Sequence, residues 1–109
     1  MKILYVEDTD TLRRGLVRFL ELKGHEAMGA ATIAEARELM AHNHFDRIIC
    51  DGDVDGTGDG ADLAKQLIDD GESAVIYSAK TESTRPGVKF VNKKKSGTPE
   101  EKMQDLLSP

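Results

Sequence analysis

The sequence predicts one α/β domain built on a doubly wound, five-stranded parallel sheet. Short apolar runs with the character of buried strands alternate with segments of helical periodicity along the whole chain. At 109 residues, the chain has the length of a single domain with one core. Such alternation implies parallel strands joined by right-handed crossovers, with helices on both faces of the sheet. We therefore expect residues 1–109 to form one domain.

The first half of the chain contains two strand patterns and two helix patterns. Lys2–Val6 is short, apolar and followed by charge, as a buried strand would be. The first helix has candidate N-caps in Thr9–Thr11 and a stop signal at Gly24. Glu26–Ala31 is a weaker strand pattern, and Thr32–Glu35 has the form of a capping box that opens the second helix. The predicted apolar face of the first helix consists of Leu12, Leu16, Phe19 and Leu20.

The third strand is followed by a glycine-rich acidic loop. Asp46–Cys50 predicts the strand, and Asp51–Gly60 predicts the loop at its exit. A third helix then runs to Gly71, and Ser73–Ala79 predicts the fourth strand. The apolar positions of this helix are Leu63, Leu67 and Ile68.

The fourth crossover is shorter than the others. Only residues 80–87 separate the fourth strand from the fifth, which we predict at Val88–Asn92, and a whole crossover needs about ten to twelve residues. We expect a turn of helix or a bare loop there. The segment Thr98–Glu101 supplies an N-cap, an N1 proline and an N3 glutamate for a last helix.

Composition narrows the possible functions. The formal charge of −5, from 15 basic and 20 acidic residues, argues against nucleic acid or an anionic membrane as a partner and fits a divalent cation better. No apolar run approaches the length of a membrane span, and the start does not resemble a secretion signal, so we expect a cytoplasmic protein. Cys50 has no second cysteine to pair with and is predicted to be a small core residue.

Polar residues at the strand exits form the candidate site. Taken singly, each has an ordinary explanation as a helix start, a turn residue, a cap or a solvated side chain. In a parallel sheet, however, the strand exits converge, and neighbouring carboxylates would repel one another unless a hard cation joined them. A lysine and a hydroxyl opposite such a cation are the donors that balance the charge of a phosphoryl group. The residues concerned are Glu7, Asp8, Asp51, Ser78 and Lys93.

Four blocks of the sequence resemble the signature of response regulator receiver domains. They are Ile3–Asp8, Ile48–Asp51, Val75–Ala79 and Phe90–Lys93, in that order and at the predicted strand exits. The resemblance implies a flavodoxin-like sheet of order 2-1-3-4-5, here with the fourth helix short or missing. It also implies a stand-alone receiver of two-component signalling or a phosphorelay.

The resemblance assigns a role to each site residue. Asp51 would accept a phosphoryl group from a phosphohistidine on a sensor histidine kinase or a histidine phosphotransfer protein. Ser78 would hydrogen-bond the phosphoryl group, Lys93 would pair with it, and Phe90 matches the family's switch aromatic, although a plain core role explains Phe90 equally well. The magnesium ligands would be Glu7, Asp8, Asp51 and the backbone carbonyl of Asp53. Catalysis would be limited to self-phosphorylation and self-dephosphorylation at Asp51, and output would pass through a downstream partner protein.

The chain also departs from the family pattern. Asp55 stands four residues after Asp51, where the family usually has a proline. The family's Asp/Asn-Gly pair comes one residue later than usual, as Asp59-Gly60, and Lys94 replaces the proline that usually follows the family's lysine, here Lys93. The shortened fourth crossover alters the face that the family commonly uses for output.

Three other functions compete with this interpretation. The spacing Asp51-x-Asp53-x-Asp55-Gly56, with Asp62 at the twelfth position, is that of a calcium-binding loop, although a strand pattern precedes it where a helix is required. The run Asp51-Gly52-Asp53-Val54-Asp55 also resembles the nucleophile motif of haloacid-dehalogenase phosphatases, which that family normally places at the first strand. A degenerate receiver that acts only as a phosphorylation-independent binding module is the third alternative.

Overall fold

The elements of secondary structure follow the predicted alternation of strands and helices. The computed structural model describes residues 1–54 and 59–109. In chain order the elements are β1 (Lys2–Val6), α1 (Asp10–Leu22), β2 (Glu26–Ala30), α2 (Ile33–His42), β3 (Arg47–Asp51), α3 (Asp59–Asp69), β4 (Ala74–Ser78), a 3-10 turn (Thr81–Ser83), β5 (Lys89–Asn92) and α4 (Pro99–Leu107).

The five strands form one parallel sheet in the order β2-β1-β3-β4-β5. This is the doubly wound, flavodoxin-like order 2-1-3-4-5, and the prediction is confirmed. The strand order reverses direction between β1 and β3, so the carboxyl ends of these two strands border a crevice. The predicted acidic cluster lies at this position.

Helices cover both faces of the sheet, and each face has its own core. Ile3 and Tyr5 of β1 pack on one side with Leu20 of α1 and Leu106 of α4. On the other side, the core contains the buried residues of α2 and α3 together with alternate strand residues. Cys50 lies there, fully buried as predicted, and burial first, with the Asp51 charge second, raises the pKa of its thiol to about 12.

The predicted helix caps are present in α2 and α4. The Thr32 hydroxyl accepts a hydrogen bond from the Glu35 N–H at 3.1 Å. The Thr98 hydroxyl accepts the equivalent bond from the Glu101 N–H at 3.1 Å, with Pro99 at the first helical position. Beyond α3, Gly71 adopts a φ of 85°, a left-handed conformation that costs glycine little.

Several local predictions were wrong. β2, β4 and β5 are each shorter than predicted, because they span Glu26–Ala30, Ala74–Ser78 and Lys89–Asn92. β3 begins at Arg47 and extends through Asp51, one residue later than predicted at each end. Asp46 lies just outside the strand, where its N–H donates to the Lys2 carbonyl and its side chain accepts a hydrogen bond from the Lys2 N–H. Leu12, which we placed on the buried face of α1, is 50% exposed, because the first turn of this helix extends past the packed core.

The fourth crossover is reduced to the 3-10 turn Thr81–Ser83 between two stretches of loop. The prediction of a turn of helix or a bare loop in place of the usual helix is therefore confirmed. Within residues 1–54 and 59–109, no helix has the length and apolar character that crossing a membrane would require.

Candidate functional site

The carboxyl ends of β1, β3, β4 and β5 surround a small polar cavity of about 300 Å³. Its lining residues are Asp8, Asp51, Asp53, Ser78, Ala79, Lys80 and Lys93. A larger cavity of about 610 Å³ lies at the opposite end of the sheet, near Phe45 and Glu72, but no predicted site residue borders it. The chemistry predicted from the sequence therefore belongs to the smaller cavity.

Three carboxylates meet beside this cavity. One oxygen from each of Glu7, Asp8 and Asp51 lies within 4.8 Å of the other two. Glu7 is 1% exposed and Asp51 is 7% exposed, whereas Asp8 faces solvent. An oxygen-only donor set with one open side fits a hard divalent cation such as Mg²⁺, which usually keeps several water ligands.

Lys93 joins two of the three carboxylates. Its Nζ lies 2.5 Å from Glu7 Oε1 and 3.1 Å from Asp51 Oδ1. The Lys93 N–H donates to the Ser78 carbonyl at 3.0 Å, which fixes the lysine immediately after β5. Burial alone would lower the pKa of Lys93, but the hydrogen bond to Glu7 and the nearby carboxylates outweigh burial and raise it. The ammonium therefore stays charged.

Two tyrosines support this ion-pair network from the face covered by α1 and α4. The Tyr5 hydroxyl donates to Glu7 Oε1 at 3.1 Å, so this oxygen accepts from both Tyr5 and Lys93. Burial first, and then the Glu7 charge, raise the pKa of Tyr5 far above its ordinary value, so the phenol remains a donor. Lys93 Nζ also lies 5.5 Å from the centre of the Tyr77 ring. Neither tyrosine was predicted as a site residue, because nothing in an apolar strand pattern distinguishes a tyrosine that contacts the site from one that only fills the core.

Ser78 ends β4 with its hydroxyl at the cavity. Ser78 Oγ accepts a hydrogen bond from the Lys80 N–H at 3.1 Å and donates to Ser83 Oγ at 3.4 Å. Both serines are buried, at 2% and 4% exposure. Ser83 was not predicted as a site residue, since it lies in the 3-10 turn of the fourth crossover, for which no contacts could be predicted from the sequence.

A second lysine stands at the rim of the cavity. Lys80 Nζ forms an ion pair with the Asp53 carboxylate. The hydrogen bond to Asp53, followed by the Asp53 charge, raises the pKa of Lys80. The Asp53 side chain therefore faces Lys80, and the resemblance assigned only the backbone carbonyl of Asp53 to the metal.

Glycine is required where α3 approaches the acidic strand end. A Cβ at Gly60 would lie 1.7 Å from the Asp51 carbonyl oxygen, and one at Gly52 would lie 2.6 Å from Ser83 Cβ. The Ala61 N–H donates to the Gly52 carbonyl at 3.2 Å across the same contact. These two glycines let the backbone after β3 fit closely between the third helix and the fourth crossover.

The sequence-predicted residues separate into those that meet at this site and those that do not. Glu7, Asp8, Asp51, Ser78 and Lys93 come together from four strand ends. Phe90 instead lies half-buried against the core shared with α2 and α3.

The structure does not favour the calcium-loop alternative. Asp55 and Gly56 of that pattern lie outside the described residues. A strand leads into Asp51, where a calcium-binding loop of this kind follows a helix. Asp62, the proposed twelfth ligand, accepts a hydrogen bond from Arg85 Nε at 2.9 Å.

Comparison with known proteins agrees with this architecture. Residues 3–94 match the family described as response regulator receiver domain. No curated protein sequence matches the chain.

Solved structures share the fold. The response regulator TrrA from Thermotoga maritima, solved in complex with Mg(2+)-BeF, is 24% identical with a TM-score of 0.72, and the match covers 97% of this chain and 98% of TrrA. A Burkholderia pseudomallei response regulator with a phosphorylated aspartic acid, calcium ion and citrate is 19% identical with a TM-score of 0.79, covering 96% of this chain and 65% of that one. The Francisella response regulator 1452 receiver domain is 24% identical with a TM-score of 0.70, covering 87% and 85% of the two chains.

Proposed function

The chain belongs to the response regulator receiver domain family of two-component signalling, and we propose that residues 1–109 form one receiver domain that is phosphorylated on Asp51. The phosphoryl group comes from a phosphohistidine on a sensor histidine kinase or a histidine phosphotransfer protein. The phosphorylated domain then changes conformation and regulates a downstream partner protein in the cytoplasm.

The observation that carries this proposal is the convergence of unlike charges at one strand end. Asp51 lies within reach of two other carboxylates and, at 3.1 Å, of the Lys93 ammonium. A buried structural ion pair needs one cation and one anion, whereas here three carboxylates and one lysine leave an excess of negative charge that a divalent cation would neutralise. A site that lacks one cation until Mg²⁺ binds is suited to phosphoryl transfer.

The residues of this site, together with a bound divalent cation, supply the groups that the transfer requires. One Asp51 carboxylate oxygen attacks phosphorus, the new P–O bond forms as the P–N bond breaks, and the donor imidazole leaves with the bonding electron pair. Lys93 would balance charge on the phosphoryl oxygens, and Ser78 would donate a hydrogen bond to one of them. Glu7, Asp8, Asp51 and the Asp53 carbonyl would hold Mg²⁺, which supplies charge neutralisation and orientation of the phosphoryl oxygens.

Two solved relatives support the ion and the acceptor. TrrA was solved with Mg(2+)-BeF, and the Burkholderia protein with a phosphorylated aspartic acid and a calcium ion. The acidic cluster of this chain offers the same class of ligand.

Mass spectrometry of the intact protein tests the proposal. Incubation with acetyl phosphate and Mg²⁺ should add one phosphoryl group, and EDTA or the substitution Asp51→Asn should abolish the adduct. Asp62→Asn is the matched control, because Asp62 is an exposed carboxylate that pairs with Arg85 away from the cavity. An adduct that survives Asp51→Asn, or its absence from the wild-type protein under these conditions, would overturn the proposal.

A further inference from the structure

We propose that Ser83 is a positioning residue that holds the Ser78 hydroxyl away from the phosphoryl group until Asp51 is phosphorylated. This inference rests on the proposed function. It concerns a side chain that the shortened fourth crossover brings to the site, and it assigns that crossover a role in the chemistry.

Ser78 has one hydroxyl proton, and two acceptors compete for it. In the unphosphorylated protein the proton is donated to Ser83 Oγ at 3.4 Å. Ser78 Oγ already accepts from the Lys80 N–H, so its remaining role is that of a donor. A phosphoryl oxygen on Asp51 would require the same proton, and the bond to Ser83 must break before the new bond forms.

Ser83 is held too firmly to move with Ser78. Its side chain is 4% exposed and packs against Gly52, where even a methyl group would lie 2.6 Å from Ser83 Cβ. Two ion pairs also hold the crossover in place on either side of Ser83. They join Lys80 to Asp53 and Arg85 to Asp62. Rotation of Ser78 toward a phosphoryl group therefore breaks its bond to Ser83.

The direction of the effect follows from which state each contact stabilises. The Ser78–Ser83 bond exists only before phosphorylation, so it stabilises the resting state and weakens the apparent affinity for a phosphoryl group. Without the Ser83 hydroxyl, the buried Ser78 donor lacks this acceptor in the resting state and finds one only in the phosphorylated state. Removal of a single long hydrogen bond should shift the equilibrium about two- to fivefold.

The test measures binding of beryllofluoride with Mg²⁺ to wild type, Ser83→Ala, Ser78→Ala and the double variant, by calorimetry or tyrosine fluorescence. Ser83→Ala keeps the Cβ atom that packs on Gly52 and removes only the hydroxyl. It should bind the analogue about two- to fivefold more tightly than wild type. Ser96→Ala, which removes an exposed hydroxyl, should bind like wild type.

The double variant separates positioning from a general structural effect. In the Ser78→Ala background no hydroxyl proton remains to be released, so Ser83→Ala should have no further effect. Unchanged or weaker binding by Ser83→Ala, or an equal gain in the Ser78→Ala background, would overturn the inference and leave the proposed function intact. Failure of the wild-type protein to bind the analogue would instead overturn the proposed function, and this inference with it.

Discussion

Substitution of Gly60 by alanine should destabilise the protein, although the same change inside a helix normally stabilises. Gly60 is the second residue of α3, and an added Cβ would lie 1.7 Å from the Asp51 carbonyl oxygen and 3.1 Å from Val54 Cγ2. Contacts below 3.0 Å essentially do not occur, and the nearest atom is backbone, which cannot rotate away as a side chain can. The start of α3 and the end of β3 must therefore separate by more than about 1 Å in a close-packed interior.

The magnitude combines three contributions. Overpacking costs about 1–3 kcal/mol, and loss of the hydrogen bond from Ala61 to Gly52 costs about 1 kcal/mol more. The higher helix propensity of alanine offsets about 0.5–1 kcal/mol of this destabilisation. The free energy of unfolding should fall by about 1–3 kcal/mol, which for a chain of this size lowers Tm by roughly 5–15 °C.

Gly15 provides the matched control. It lies exposed in the middle of α1, and nothing is within 4 Å of the position that its Cβ would occupy. Gly15→Ala should therefore raise the free energy of unfolding by about 0.5–1 kcal/mol. Calorimetry or urea unfolding of the two variants measures both effects, and a Gly60→Ala protein as stable as wild type would refute the described contact between α3 and Asp51.

Three further predictions concern the site and its surroundings. Saturating Mg²⁺, at about a hundred times its Kd, should raise the unfolding free energy of wild type by about 2.7 kcal/mol. Thermal melts should show that the Asp8→Asn variant loses most of this stabilisation. A variant that is stabilised by Mg²⁺ as much as wild type would show that Asp8 is not a metal ligand. Lys93→Met leaves the carboxylate of Glu7, 1% exposed, without its cation and should cost about 3–5 kcal/mol. Urea unfolding should show that adding Glu7→Gln recovers at least half of this loss, and no recovery would contradict the ion pair. Burial raises the pKa of the Cys50 thiol to about 12 in the folded protein, whereas the thiol of the unfolded chain ionises near pH 9. The buried thiol therefore contributes its full stabilisation below about pH 9, and this stabilisation is lost as the pH rises toward 12. The destabilisation caused by Cys50→Ala should accordingly shrink by about 1.4 kcal/mol per pH unit above 9, and a constant difference between pH 8 and pH 10.5 would show that the thiol is not buried.

Hydrophobic periodicity and turn residues were enough to predict the fold, because the three central strands, β1, β3 and β4, are buried on both faces. These strands appear in the sequence as short apolar runs, and Thr32 and Thr98 mark helix starts through hydrogen bonds that are local in sequence. Where only tertiary packing decides, the prediction failed. Helical spacing puts Leu12 on the apolar face of α1, but spacing does not show where along the helix the packed core ends. Leu12 lies beyond that end and is 50% exposed.

The candidate site was predictable as a set of strand exits, but its supporting contacts were not. Parallel strands bring their carboxyl ends together, so Glu7, Asp51 and Lys93 could be placed side by side from the strand pattern and the family resemblance. The bonds of Tyr5 to Glu7 and of Lys80 to Asp53 depend on side-chain rotamers and on loop geometry, which no sequence period predicts. Ser83 is a similar case, because its contact with Ser78 lies within a crossover that departs from the family pattern.

Chemical trapping of the phosphorylated residue is the most direct test of whether Asp51 accepts the phosphoryl group. Sodium borohydride reduces an aspartyl phosphate to homoserine, and peptide mass spectrometry then locates the modified position after treatment with acetyl phosphate and Mg²⁺. The arrangement of Asp51 against Lys93, at 3.1 Å, predicts homoserine at residue 51 alone. Homoserine at Asp8, Asp53 or another carboxylate, with residue 51 unmodified, would contradict the account.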